Sequence, residues 1–176
     1  MTFFTAIPLP DSVKKNIRDI TAFKLPVPYV NTTNLHITLN FFGQLESARL
    51  KELEQELKEL FNHKKSFLVV FSKLVKFNKQ IHLTLEENPA LKSLQKQLES
   101  ELKKLGYEFQ DRLYYPHVKL SNLHMDKVLH PERKLATFPN NLLSRLSFVA
   151  GQIVLYESKL MLHHPKYTVL KEYSLQ

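Results

Sequence analysis

An α+β fold is predicted for this chain of 176 residues on three observations. Short runs of apolar alternation with period two recur along the chain, stripes of Val, Ile and Leu at spacings of three and four lie between them, and Pro, Gly and Asn punctuate the joins. Taken in order, the elements read strand, helix, strand, helix, two strands, helix, strand, and then two closing strands, which is the α+β class.

Residues 2–8 form the first strand. Asp11 or Ser12 then caps a helix in which Val13, Ile17 and Ile20 share a face, and Pro26 and Pro28 end that region. Residues 34–42 alternate as a half-buried strand. Residues 47–60 carry Leu50, Leu53, Leu57 and Leu60 as an inward stripe, with Glu52, Glu56, Lys58 and Glu59 turned to water.

Two β-rich runs, 66–77 and 80–86, are joined by Asn78-Lys79 as a hairpin. Pro89 opens a helix through Leu91, Leu94, Leu98, Leu102 and Leu105 that stops at Gly106. A strand follows at 114–123, then an irregular or helical stretch from 126 to 143 holding Pro131 and Pro139. Final strands are expected at 146–157 and 167–173.

With three Gly and nine Pro there is no flexible linker and no low-complexity tract, so residues 1–176 read as one continuously ordered domain. The absence of Cys excludes disulfides, iron–sulfur clusters, thiolate zinc sites and cysteine nucleophiles, and fits a reducing compartment. The opening residues read as a strand and not as a signal peptide, and no run reaches the roughly 20 apolar residues of a membrane span. A soluble, cytoplasmic protein with no membrane partner is therefore expected. The net charge of +8 favours anionic ligands by long-range steering.

One internal echo stands out. Leu35-His36-Ile37-Thr38-Leu39-Asn40 and Pro116-His117-Val118-Lys119-Leu120-Ser121 share the pattern x-His-β-branched-x-Leu-polar, with the histidines 81 residues apart. On a strand, His36 and Thr38 point to one side while Ile37 and Leu39 point into the core, and His117 with Lys119 repeats the arrangement. An imidazole that gains and loses protons near neutrality, beside a group that hydrogen-bonds a phosphoryl oxygen, suits phosphate chemistry. Ile81-His82-Leu83-Thr84-Leu85 fits a literal His-x-Thr pattern better than the copy at 117 does.

Longer segments carry a resemblance: Phe3-Phe4-Thr5-Ala6-Ile7-Pro8-Leu9-Pro10, then Asn34-Leu35-His36-Ile37-Thr38-Leu39-Asn40-Phe41-Phe42-Gly43-Gln44. To these are added the helix closing at Gly106, the run Pro116-His117-Val118, the strand Ile153-Val154-Leu155-Tyr156-Glu157-Ser158-Lys159-Leu160, and Tyr167 to Leu170. On these the chain resembles the 2H phosphoesterases, in the branch of the RNA 2′,3′-cyclic phosphodiesterases, also called 2′-5′ RNA ligases. Two departures mark the second motif, where Lys119 stands at the usual Thr and Asn122 at the usual Arg.

The resemblance implies two similar lobes, each an antiparallel sheet with helices, around a central cleft, with one histidine motif from each lobe. It implies metal-independent hydrolysis of 2′,3′-cyclic phosphate ends to 2′-phosphates, with His36 as acid and His117 as base, and reversible 2′-5′ joining by the same groups. Thr38 and Lys119 would hold the nonbridging oxygens, Lys119 as a point charge. No metal and no cofactor are implied. The expected partner is RNA or an oligonucleotide with a cyclic phosphate end, or a small cyclic nucleotide, acted on by a monomer. Order and spacing pair His36 with His117; the resemblance gives His82 no catalytic role, so it reads as an ordinary strand residue and as the fallback partner.

Two alternatives remain from the same residues: a basic RNA-binding module without catalysis, and a phosphoesterase for another cyclic phosphate. Tyr114, Tyr115 and Phe42 read as packing residues rather than base-stacking platforms. Lys64, Lys65, Lys73, Lys76 and Lys79 read as diffuse steering charge, and His63, His124, His130, His163 and His164 as ordinary histidines with no zinc-type spacing.

Overall fold

The structure, a computed structural model, describes residues 1–25, 27–109, 113–123, 131–161 and 165–176. His124, His130, His163 and His164, and part of the stretch expected to be irregular, lie outside the described residues. Its strands are β1 (Thr2–Pro8), β2 (His36–Gly43), β3 (Phe67–Phe77), β4 (Gln80–Leu85), β5 (His117–Asn122), β6 (Ser147–Ala150), β7 (Gln152–Leu160) and β8 (Pro165–Ser174). The helices are α1 (Asp11–Lys24), α2 (Ser47–Phe61), α3 (Pro89–Lys104) and α4 (Pro131–Ala136).

The strands run in the order β6-β3-β4-β5-β2-β1-β7-β8. Every pairing is antiparallel. This is two four-stranded halves, β8-β7-β1-β2 and β5-β4-β3-β6, joined at the middle through a single register pair, Ile37 with Val118. The bilobal α+β architecture expected from the resemblance is thus present, with the two histidine strands as the innermost strand of each half.

Beyond the junction β2 and β5 part. The backbone N–H of Val30 donates to the Leu120 carbonyl at 2.9 Å, and Tyr29 bridges Ser121, so a different segment takes over the inner edge of β5. One hydrophobic cluster joins both halves to the helices: Val13 and Ile17 of α1, Leu53, Leu57 and Phe61 of α2, and Leu91, Leu98 and Leu102 of α3 pack with Ile7, Ile37, Leu39, Leu83, Val118 and Leu120. The strand residues between those face the other way, and His36, Thr38, His117 and Lys119 are among them.

Local chemistry explains the strongest elements. The Asn88 side chain accepts from the Leu91 N–H at 3.0 Å, Pro89 occupies the first turn, and α3 ends in a Schellman motif. There Tyr107 N–H donates to Leu102 O and Gly106 N–H to Lys103 O, both at 3.0 Å, around Gly106 at φ +80°. The two-residue turn Asn78-Lys79 closes the β3-β4 hairpin with Asn78 at φ 52°, a conformation asparagine tolerates better than most residues.

Three expectations change. Helix α1 begins at Asp11 after Pro10 with no side-chain cap, and the Asp11 carboxylate instead pairs with Lys14 at 3.0 Å. The fifth strand is shorter than 114–123. The strand expected at 146–157 is two strands, because the chain crosses between halves at Gly151: β6 pairs with β3, whereas β7 pairs with β1 and β8.

Candidate active site

Because Ile37 and Val118 pair and both face the core, His36, Thr38, His117 and Lys119 lie around that pair on the opposite face. Antiparallel register extends the row outward, since β4 pairs His82 with Lys119 and Thr84 with His117. Three histidines and one lysine therefore share one face of three adjacent strands.

His36 is the more enclosed of the predicted pair. Its Nδ1–H donates to the Asn34 carbonyl at 2.6 Å, so in the neutral ring Nε2 carries the lone pair, 3.1 Å from Thr38 Oγ1. The ring stands against Phe4 at 5.0 Å between centroids, Tyr167 at 5.4 Å in an edge contact, and Tyr156 at 6.2 Å. Burial among these rings pushes its pKa down to about 4, against the pull of the Asn34 carbonyl, and the charges of Lys119 and His117 add to the fall.

His117 is oriented the same way, with Nδ1–H donating to the Tyr115 carbonyl at 2.8 Å. Its ring stacks on His82, centroids 3.8 Å apart and planes 13° from parallel, and lies 5.9 Å from the ring of Tyr115. Lys119 is half-buried, and burial lowers its pKa. Asn122, at the position of the usual arginine, is exposed and pairs with Gln80.

His82, which the sequence reads as an ordinary strand residue and a fallback partner, sits inside this group. It is 3% exposed, its Nε2–H donates to Gln80 Oε1 at 2.8 Å, and its pKa falls to about 4 through burial, then His117, then Lys119. A signal for it existed. In each half the strand beside the histidine strand presents a residue at the same register, Ala6 opposite Thr38 in one and His82 opposite Lys119 in the other. That correspondence is invisible until the strands are paired.

Of the three aromatics expected to pack, two do. Tyr114 donates its hydroxyl to the Thr38 carbonyl at 2.9 Å, tying the approach to β5 onto β2, and Phe42 packs edge-on against Tyr107 and Phe109. Tyr115 is instead 49% exposed beside His117. His63 bonds Gln176 and stands with the chain's last residue. Among the described residues, no group of three His, Asp or Glu is arranged to hold a metal, and no helix is long and apolar enough to cross a membrane.

A family model described as the 2′-5′ RNA ligase superfamily matches residues 9–160. A Bacillus subtilis (strain 168) protein named RNA 2′,3′-cyclic phosphodiesterase is 26% identical over 128 aligned positions, covering 68% of this chain and 69% of its own length. One of the same name from Methanocaldococcus jannaschii is 28% identical over 184 positions, covering 98% of this chain and 100% of its own. Among solved structures, E. coli LigT complexed with 3′-AMP superposes with a TM-score of 0.80 at 21% identity, covering 99% of this chain and 97% of that one. A Thermus thermophilus protein, TT0787, gives 0.83 at 21%, covering 99% and 98%. These likenesses agree with the bilobal sheet.

Proposed function

Since this chain belongs to the 2′-5′ RNA ligase superfamily, we propose that it is an RNA 2′,3′-cyclic phosphodiesterase, opening cyclic phosphate ends to 2′-phosphates. The observation that carries the reading is the pair His36 and His117, set on one face where the two halves meet, each held by an Nδ1–H bond to the carbonyl two residues back, so that Nε2 is the ring nitrogen assigned to proton transfer in both.

In this reading His117 Nε2 takes a proton from a water that attacks phosphorus, and the bond from phosphorus to the 3′-oxygen breaks. His36 Nε2–H gives its proton to that oxygen, so one water is consumed and a 2′-phosphate with a free 3′-hydroxyl results. His36 on its own holds a proton weakly. The substrate's phosphate, arriving as an anion beside it, raises its proton affinity and offsets the nearby Lys119 charge. Once protonated, His36 Nε2 no longer accepts from the Thr38 hydroxyl, which is released to a phosphoryl oxygen while the Nε2–H serves the 3′-oxygen, and Lys119 balances the charge that develops on the phosphoryl group. With an RNA 5′-hydroxyl in place of water the same transfers make a 2′-5′ link, and run backward, with His36 as base and His117 as acid, they reopen that link to the cyclic end.

Both imidazoles come from one chain, so the acting unit is the monomer, and the place of action is the cytoplasm, consistent with a chain that has no Cys. The test is hydrolysis of a panel of 2′,3′-cyclic nucleotides and cyclic-ended oligoribonucleotides, with products resolved as 2′- or 3′-phosphates and chelator present. Release of 2′-phosphate, undiminished by chelator, is expected. Salt-sensitive RNA binding without any change in the cyclic end would replace this reading with the non-catalytic one, and turnover of other cyclic phosphates alone would replace the substrate.

A further inference from the structure

His82 is not part of the two-histidine scheme, yet its ring lies against that of His117, 3.8 Å between centroids. It is itself fixed. Gln80 Oε1 takes its Nε2–H at 2.8 Å, and the ring of Phe77 stacks with it at 5.6 Å and 26°. The three rings Phe77, His82 and His117 form a ladder whose outer rung, Phe77, is 57% exposed and whose middle rung is buried.

We infer that His82 is a positioning residue for His117: its held ring backs the face of the His117 imidazole and so fixes the direction in which His117 Nε2 points. The inference rests on the cyclic phosphodiesterase reading, in which that atom takes the proton from water. The hydrogen bond to the Tyr115 carbonyl fixes one edge of the His117 ring, and a stack 13° from parallel fixes its plane. Together they set where a lone pair lies, and a proton-transfer geometry is sensitive on the scale of an ångström.

A neutral ring suits the role. His117 carries a positive charge after taking the proton, and a neutral aromatic face against it is mildly attractive, whereas a second cation at that distance would repel it. Burial and the neighbouring His117 and Lys119 keep His82 neutral near pH 7. Its Nδ1 is buried with no hydrogen-bond partner, in keeping with a ring used for its face and not for proton traffic. The other half has the small Ala6 at this register and encloses its histidine with Phe4, Tyr156 and Tyr167 instead.

The experiment compares wild type, His82→Ala and His82→Phe in steady-state hydrolysis of a 2′,3′-cyclic nucleotide monophosphate. His82→Ala is expected to lower kcat about 10- to 100-fold with KM held within about twofold, the signature of lost alignment at unchanged binding. His82→Phe, which keeps an aromatic face and has no ionisable group, is expected to recover kcat to within about threefold of wild type on the same reasoning. A kcat in His82→Ala close to that of wild type overturns the inference. Equal losses in both variants also overturn it, since they make the imidazole's own proton the working part. Should His82→Ala fail to fold, His82→Leu takes its place.

If wild type opens no cyclic nucleotide, the proposed function falls while the stack is still read by NMR. The His117 Hε1 resonance lies upfield in wild type and His82→Phe under the neighbouring ring current, and moves downfield in His82→Ala. An unmoved resonance overturns the inference whatever the activity.

Discussion

The two halves of the sheet share a frame and differ in what they hang on it. In each, a histidine opens the innermost strand with its Nδ1–H on the carbonyl two residues back, and a bulge follows at a Leu-polar pair: β2 at Leu39-Asn40, β5 at Leu120-Ser121. The first half then encloses His36 with Phe4, Tyr156 and Tyr167. The second sets His82 and Lys119 around His117. One half keeps its imidazole dry and the other brings positive charge. Repetition of backbone geometry set two imidazoles on one face, and divergence of the neighbours gave them different surroundings.

Removing either histidine is the harshest way to break this comparison. His36→Ala and His117→Ala are each expected to lower kcat at least about 100-fold, and the double variant to fall little further, because in the proposed reaction the two act in one transfer. Steady-state kinetics on a cyclic nucleotide measures this. Loss in His82→Ala with wild-type activity in His117→Ala would move the base to another ring and dissolve the equivalence of the halves.

Making the halves alike sharpens it. Lys119→Thr gives β5 the hydroxyl that β2 already has at Thr38. The phosphoryl group loses a charge-assisted contact, so KM for a cyclic nucleotide is expected to rise about tenfold, on the scale of a bond to a charged group. Because the Lys119 charge depresses both His36 and His82, their pKa values should rise in this variant, which an NMR titration of the ring protons reads. Unmoved titration curves would mean that burial and His117 account for both without Lys119.

Acid reaches the two halves together. His36 and His82 each titrate near 6.5 when unfolded and about 4 when folded. Between those values the unfolded chain binds more protons, so stability rises with pH; the contribution is whole above about pH 6.5 and lost as pH falls through about 4. Each ring is worth about 1–3 kcal/mol over that window. Thermal unfolding from pH 7 to pH 4.5 should record a falling Tm, and His82→Gln should flatten the fall while leaving the part due to His36.

The strand and helix succession was readable because most of these elements have one apolar face, as the Leu stripe of α3 and the alternation around His36 and His117 illustrate. Three things were not. The break at Gly151 lies within a continuous apolar pattern, since β6 and β7 both face the core while serving different halves. His82 matched a motif in text but gained its position only from pairing with Lys119. The aromatic wall around His36 comes from β1 and from the β7–β8 pair, more than a hundred residues further along the chain, and no local periodicity announces such a meeting.

The smallest effect concerns the two bulges. In the first half Thr5 pairs with Asn40, and Thr5 Oγ1 and Asn40 Oδ1 are both buried without a hydrogen-bond partner. In the second half the corresponding pair is Ile81 with Ser121, whose hydroxyl donates to the Pro28 carbonyl at 2.6 Å. A buried hydroxyl with no partner costs stability, and an apolar group of the same shape removes the cost. Thr5→Val should therefore leave stability unchanged or raise it by up to about 1 kcal/mol, whereas Ser121→Ala, which strips a carbonyl of its donor, should lower it by about 1 kcal/mol. Urea unfolding of the two variants side by side gives the sign of each. A loss of stability in Thr5→Val would mean that the first bulge holds its hydroxyl by a bond after all, most simply through a buried water between Thr5 and Asn40, and the two bulges would then be satisfied alike.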